Sequence, residues 1–331
     1  MVLVLHPAFA PGSYLAPMQK RKLGHSDLMV APWAFGGNVF GWTVEEPTAF
    51  RLLDAFTEHG FNLIDTADSY PRWVPGNVGG ESETMIGNWL HASGKRDAIV
   101  LATKVGSDMG EGKNLRKEYI LRAVEASLKR LRTDHIDLYQ SHWDDLNTPV
   151  EETLAAYDQL VKQGKVRWIG ASNLAPGRLR RSMQVSDGMG FPAYVSLQMR
   201  YNLFSREVFE REYAPICEQH GLGILTYYSL ASGFLTGKYR SDADLGDRAR
   251  KGDVKAYLNG RGMQILNALD TVSERQNTKQ ATVALAWLMA RPGVTAAIAS
   301  ATKLPQVEEL ASAAELVLSE EDWALLDTAS A

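Results

Sequence analysis

One cysteine, Cys217, serves the whole chain, so neither an intrachain disulfide nor a cysteine-held metal cluster can form. It sits in the helix-like stretch 208–220 and reads as a small buried hydrophobe rather than a nucleophile. Such sparing use of cysteine fits a reducing, cytoplasmic location. No apolar run reaches the ~18 residues that span a bilayer, so no membrane partner is expected. The formal net charge of −4 offers no basic field to nucleic acid or to an anionic membrane surface. Repeats and low-complexity tracts are also missing. A signal peptide is not expected, because Val2-Leu3-Val4-Leu5 has no basic flank and is cut short by His6-Pro7. Residues 1–17 read as a disordered extension or a mis-assigned start, followed by one domain over 18–331.

What is present is an ordinary globular composition: 331 residues, 45 % hydrophobic and 22 % charged, enough for one large barrel or two average domains. Lys20–Leu23, a polar turn Gly24-His25-Ser26-Asp27, and Leu28–Val30 predict a β-hairpin. Short apolar runs follow at Trp33–Gly36, Asn62–Asp65, Ile99–Thr103, Ile136–Gln140, Trp168–Ala171, Tyr194–Gln198, Ile224–Tyr227 and Ala296–Ala299. Several are apolar on both faces, as a sheet covered on both sides requires. Helical spacing recurs between them, clearest for Ile120, Val124, Leu128 and Leu131 along Arg116–Arg132, and again over Thr48–Glu58, Glu83–His91, Pro149–Lys162 and Arg206–His220. Gly60, Gly94, Gly164 and Gly221 stand where such helices should end in a left-handed cap. Strands alternating with helices, without a break in composition, predict an α/β fold: one (β/α)8 TIM barrel with an N-terminal β-hairpin and long loops. The longest irregular stretch, Leu230–Arg261, follows the seventh barrel strand, a place where barrels often hold phosphates.

A parallel barrel delivers the C-terminal ends of its strands to one face. Four polar residues are then expected to meet there: Asp65, Tyr70, Lys104 and His142. Each alone has an ordinary explanation, as a turn aspartate, a packing tyrosine, a solvated lysine or a structural histidine. Together they suit proton movement at a carbonyl. Tyrosine is a poor acid at its usual pKa of about 10, and a neighbouring ammonium should lower that value. Tyr70 is thus expected as general acid/base, Lys104 as its electrostatic tuner, Asp65 as the partner of Lys104, and His142 as the group orienting the carbonyl. No metal is needed.

From Gln19 to about Thr328 the sequence resembles the aldo-keto reductase superfamily, and most of all its bacterial and potassium-channel β-subunit-like branch. The resemblance is carried by Asn62-Leu63-Ile64-Asp65-Thr66-Ala67-Asp68-Ser69-Tyr70, by Gly79-Gly80-Glu81-Ser82-Glu83, by Ala102-Thr103-Lys104, and by Ser127–Leu131 running to Asp134–His142. The family's catalytic aspartate, tyrosine, lysine and histidine fall on Asp65, Tyr70, Lys104 and His142.

The resemblance implies an extended nicotinamide cofactor across the barrel mouth, NADPH/NADP+ as the expected choice with NADH left open. It implies cofactor contacts from Gly36, Gly37, Asn38 and Asp65. Ser172, Asn173 and Gln198 would hold the carboxamide, and Tyr227 would stack on the ring. Ser229, Leu230, Ser232, Gly233, Lys238 and Arg248 would meet the pyrophosphate. Ser300, Thr302, Lys303, Gln306 and Glu309 would meet the adenosine end. Many family members carry arginine where Gln306 stands, so an arginine's bidentate grip on the 2′-phosphate is missing and Lys303 is its nearest candidate.

Val39, Phe40, Trp42, Trp73 and Trp143 are expected to wall a substrate pocket, and aromatic walls suit bulky carbonyls. The function so implied is NADP(H)-dependent interconversion of a small-molecule carbonyl and an alcohol, an aldo-keto reductase or alcohol dehydrogenase. The oligomeric state is left open. The alternative is a cofactor-sensing regulatory subunit with slow or no turnover. A barrel hydrolase using Asp65 and Glu81 as paired carboxylates is a further rival.

Overall fold

The computed structural model describes residues 19–247 and 250–331; the expectations for residues 1–17 and for Arg248 fall outside these. The hairpin forms from β1 (Arg21–Lys22) and β2 (Met29–Val30), paired antiparallel. Its turn is held by Ser26, whose hydroxyl donates to the Leu23 carbonyl at 2.7 Å. The hairpin closes the N-terminal end of the barrel. Gly24 (φ +56°) lies so near the strands that a Cβ there would fall 2.0 Å from the Val195 carbonyl oxygen. Leu23, Leu28 and Val30 join one apolar cluster with Ala34, Leu63, Leu138, Val195, Leu225 and Ile298 from the barrel interior. Each buried leucine, isoleucine or valine there contributes about 1.5–3 kcal/mol relative to leaving it in water.

The barrel strands are β3 (Trp33–Gly36), β4 (Leu63–Asp65), β5 (Val100–Val105), β6 (Ile136–Ser141), β7 (Val166–Ser172), β8 (Tyr194–Arg200), β9 (Gly223–Tyr227) and β10 (Val294–Ala299). They pair in parallel in that order, and β10 closes onto β3. The two-sided apolarity of the runs is explained: one face fills the barrel, and the other packs under helices in a second, larger core.

The helices that cover the strands include α1 (Glu46–Glu58), α2 (Glu81–Ser93), α3 (Lys117–Leu131), α4 (Val150–Lys162), α5 (Pro176–Met189) and α6 (Ala214–His220). In α3 the predicted stripe of Ile120, Val124, Leu128 and Leu131 is buried. Gly94 and Gly221 cap α2 and α6 in the left-handed conformation. The predicted helix Arg206–His220 is interrupted: a π-helical turn over Phe209–Tyr213 leads into α6. Pro215 stands where the chain re-enters the α form, and it has no N–H to continue the regular ladder.

Leu230–Arg261 is less irregular than expected. It holds 3-10 turns at Ala231–Thr236 and Asp242–Asp244, the short α7 (Lys251–Lys255), and the start of α8 (Gly260–Arg275). Helix α9 (Gln280–Met289) follows, then α10 (Leu304–Ser312) and α11 (Glu320–Ser330) after the last strand.

Candidate active site

Asp65 ends β4, Lys104 is the fifth residue of β5, and His142 immediately follows β6, so the barrel brings the three to one face. Lys104 is wholly buried. Its ammonium donates to Asp65 Oδ2 at 2.6 Å, to the Thr66 carbonyl at 2.8 Å and to Tyr70 Oη at 3.5 Å. The Tyr70 and His142 rings meet edge-on with centroids 5.6 Å apart. All four residues expected to assemble do so.

The electrostatics correct one expectation. Burial raises the Tyr70 pKa above its ordinary value, and Lys104 opposes this without reversing it. The tyrosine is therefore held protonated, a state suited to giving a proton. Lys104 itself loses through burial but gains more from Asp65 and Tyr70, so its pKa is raised and it stays charged. Burial and the Lys104 charge hold His142 well below the usual histidine range, so its imidazole is neutral. His142 Nδ1 is buried and has no protein partner among the described residues.

The loop that carries Tyr70 is fixed by its own sequence. The amides of Gly80 and Ser82 both donate to the Tyr70 carbonyl, at 3.1 and 3.2 Å. Ser82 donates its hydroxyl to the Gly37 carbonyl at 2.8 Å, and Glu83 accepts from Thr103 at 2.6 Å and from Arg130 at 2.7 Å. Gly80 has φ +89°, and a Cβ there would lie 2.4 Å from Arg130 Nε, so only glycine fits. Asp68, buried beside Glu83, has its carboxyl pushed up to about 8, by burial first and Glu83 second.

The carboxylates of the hydrolase rival are both committed. Asp65 is bonded to Lys104, and Glu81 accepts from the amides of Val78 at 2.8 Å and Gly79 at 3.0 Å. Neither is left as a free acid or base.

Asp65 Oδ1 accepts from Gln198 Nε2 at 2.8 Å and from Gln140 Nε2 at 3.1 Å. Gln140 was not singled out by sequence. A polar residue at the end of an apolar strand was the only signal available.

The residues expected to hold a nicotinamide dinucleotide line the same rim. Asn173 donates to the His142 carbonyl and to Ser172 Oγ, both at 2.9 Å, and accepts from Tyr227 Oη at 2.6 Å. Both N–H groups of Gln198 are used by Asp65 and Gln140, while its carbonyl oxygen accepts nothing from the described residues. That leaves an acceptor for a carboxamide N–H.

Gly36 runs close under Ser300, where a Cβ would stand 2.7 Å from Ser300 Oγ. Ser300 Oγ also lies 2.8 Å from Asn38 Oδ1. Gly37 is buried against Ser82. Beyond β9, Tyr228, Ala231, Ser232 and Gly233 all have left-handed backbones, with Lys238 Nζ 3.5 Å from the position of a Gly233 Cβ. Left-handed non-glycine residues store strain, and such strain concentrates at ligand-binding segments. The donor set and the close-running glycines fit the dinucleotide.

Other expected contacts have structural duties. Ser229 Oγ ties two strands together, bonding to the Thr226 and Ile298 carbonyls at 3.1 and 2.7 Å. Leu230 packs partly against the core. Ser232 Oγ reaches Asp253 at 3.4 Å. Gln306 accepts from the amides of Thr302 and Lys303 at 2.7 and 3.2 Å, so it shapes the turn presenting Lys303 instead of reaching out as an arginine would. Glu309 is half-buried, and burial raises its carboxyl despite Lys279 and Lys238 nearby.

The substrate wall divides. Trp73 stands over Tyr70 with centroids 5.6 Å apart and meets Trp42 at 5.6 Å, while Trp143 stacks on His142 at 6.0 Å. Trp73 is 50 % exposed and Trp143 37 %, so both face the mouth. Phe40 does not: it is wholly buried and stacks on Phe35 at 5.3 Å. Val39 is also buried in that core. Both belong to a tight turn whose side chains point under the mouth and not into it.

A cavity of about 430 Å³ lined by Lys20, Lys22, Gly24, Leu222 and Thr295 lies at the hairpin end, opposite the four residues. No cluster of three or more histidine, cysteine, aspartate or glutamate side chains placed to hold a metal occurs among the described residues. Nor is any described helix long and apolar enough to cross a membrane.

Comparison with known proteins agrees with this architecture. A model of the aldo/keto reductase family matches residues 32–331. The uncharacterized oxidoreductase YrpG of Bacillus subtilis is 36 % identical over 94 % of this chain and 95 % of its own length. Aldo-keto reductase YhdN of the same organism is 33 % identical over 92 % of this chain and 89 % of its own. A probable voltage-gated potassium channel subunit beta of Arabidopsis thaliana is 29 % identical over 91 % and 92 %. The closed barrel, its N-terminal hairpin and these matches place the chain in the aldo/keto reductase family, whose members carry out nicotinamide-dependent oxidoreduction.

Proposed function

We propose that this protein interconverts a small-molecule aldehyde or ketone and the corresponding alcohol, with NADPH/NADP+ as cofactor and Tyr70 as general acid/base. The observation that carries the proposal is the buried Lys104 ammonium within reach of both Asp65 and Tyr70. A bound nicotinamide would supply the hydride for reduction or accept it for oxidation. Tyr70, held protonated by burial, gives its proton to the carbonyl oxygen, and Lys104 stabilises the tyrosinate left behind. Neutral His142 can offer a hydrogen bond to the same oxygen and so orient the carbonyl.

Gln198, Ser172 and Asn173 would hold the carboxamide and Tyr227 the ring face. Lys238 serves the pyrophosphate and Lys303 the 2′-phosphate. Trp42, Trp73 and Trp143 favour a bulky apolar substrate. The single cysteine agrees with a cytoplasmic location.

The test is a screen of aldehydes, ketones and secondary alcohols with NADPH/NADP+ and NADH/NAD+, followed at the nicotinamide absorbance band and paired with fluorescence titrations. NADPH binding tighter than NADH, with turnover of at least one aryl or bulky carbonyl, is expected. Absence of cofactor binding, or tighter binding of NADH, would contradict the corresponding part.

The similarity to a plant channel subunit supports a second reading, a cofactor-sensing subunit. One turnover followed by slow cofactor release across the whole panel would favour it.

A further inference from the structure

We propose that Gln140 is a positioning residue that locks the Gln198 amide with its carbonyl toward the barrel mouth and, through Asp65, sets how far Lys104 is shared with Tyr70. This rests on the roles given above to Gln198 and Tyr70. Gln140 is wholly buried on β6, so it touches neither substrate nor cofactor. Its strand register places it beside Lys104 on β5 and Gly170 on β7. Of the titratable groups, Asp65 accepts its N–H, Lys104 lies beside it in register, and His142 follows two residues on at the same end of β6.

The orientation of the two amides follows from elementary chemistry. A carboxylate only accepts, so Gln140 and Gln198 must both turn their nitrogens to Asp65 Oδ1, as they do at 3.1 and 2.8 Å. With the Gln140 nitrogen turned to Asp65, its carbonyl faces Gln198 and accepts the second N–H of that residue at 3.0 Å. Both donors of Gln198 are spent inward, and its carbonyl oxygen is left for the mouth. An apolar side chain at 140 would strand a buried N–H and release the amide to turn.

The same contacts act on charge. Asp65 carries two amide donors on Oδ1 and Lys104 on Oδ2. Removing one donor concentrates the negative charge, draws Lys104 toward Asp65, and weakens its hold on Tyr70, already 3.5 Å away. Gly170 makes the room: a Cβ there would lie 3.0 Å from Gln140 Cγ and 2.6 Å from Ser196 Oγ.

The decisive pair of variants is Gln140→Leu and Gln140→Glu. A protonated glutamic acid can donate to Asp65 and accept from Gln198, as the amide does; its ionised form repels Asp65. NADPH affinity by fluorescence titration should fall at least tenfold in Gln140→Leu at every pH. In Gln140→Glu the ratio of its Kd to that of the wild type should be near one at pH 5 and rise at least tenfold by pH 9. The pH midpoint for alcohol oxidation, which reports tyrosinate, should move to higher pH in Gln140→Leu.

Should Gln140→Leu fail to fold, the pH-dependent ratio of Gln140→Glu decides alone. A ratio constant across the pH range overturns the proposal, whatever the leucine variant does, because packing alone would be indifferent to that proton. If Tyr70→Phe is inactive while both Gln140 variants bind as wild type, only this proposal fails. If the wild type binds no NADPH, or Tyr70→Phe turns over normally, the underlying reading fails and this proposal with it.

Discussion

Lys104 and Asp65 form a buried ion pair, Nζ to Oδ2 at 2.6 Å, with the lysine side chain wholly enclosed. Removing the cation leaves a buried carboxylate whose remaining partners are the two glutamine amides. Breaking a buried pair from one side costs about 3–5 kcal/mol, and those amides should keep the loss near the lower end. Lys104→Met is expected to lower unfolding free energy by about 3 kcal/mol in urea and to cut turnover at least a hundredfold. Unchanged stability would show that the pair contributes nothing net.

The pH profile follows from Tyr70 and His142. Tyr70 titrates above its usual value and must be protonated to reduce a carbonyl, so reduction at saturating cofactor should be flat from pH 6 to 9. Oxidation needs tyrosinate, whose fraction rises about tenfold per pH unit below the pKa, so oxidation should climb through that range. His142 stays neutral throughout, so neither direction should show a limb near pH 6.5. An acid limb at that pH in reduction would contradict the neutral imidazole.

Asp68 links pH to stability in the opposite sense from a salt-bridged acid. Its folded pKa, about 8, is far above the ordinary aspartate value of 3.8. Between those values the folded state holds a proton that the unfolded state has lost, so this group makes stability fall as pH rises and then level off above about pH 8. Asp68→Asn should remove that slope. Melting temperatures of wild type and variant, measured from pH 5 to 9, should therefore diverge in favour of the variant as pH rises; parallel curves would refute the assignment.

Gly80→Ala should strain a left-handed backbone and drive a methyl group into Arg130. Overpacking of this kind costs about 1–3 kcal/mol. Because Gly80 and Ser82 hold the Tyr70 carbonyl, kcat should drop while cofactor affinity stays near wild type. Calorimetry with steady-state kinetics separates the two effects.

The eight barrel strands were readable because each is a short, largely apolar run and most end at a polar residue, and parallel pairing turns that pattern into a shared face. Helix α9 was not, since it is buried all round and has no polar face to set a period. Phe40, like Trp42, lies just beyond the end of a strand, where the sequence predicts a place in the pocket wall. The turn at Gly37–Val39 sends it into the core instead. The raised Tyr70 pKa depends on burial and the Gln140 contact on strands far apart in the chain, so neither could be read locally.

The most direct measurement compares Tyr70→Phe with wild type, turnover of the best carbonyl beside NADPH affinity. A general acid contributes about 10²–10⁴-fold, so turnover should fall at least a hundredfold while the dissociation constant for NADPH stays within threefold. Turnover surviving within threefold, about 0.65 kcal/mol of barrier, would show that Tyr70 is not the proton donor.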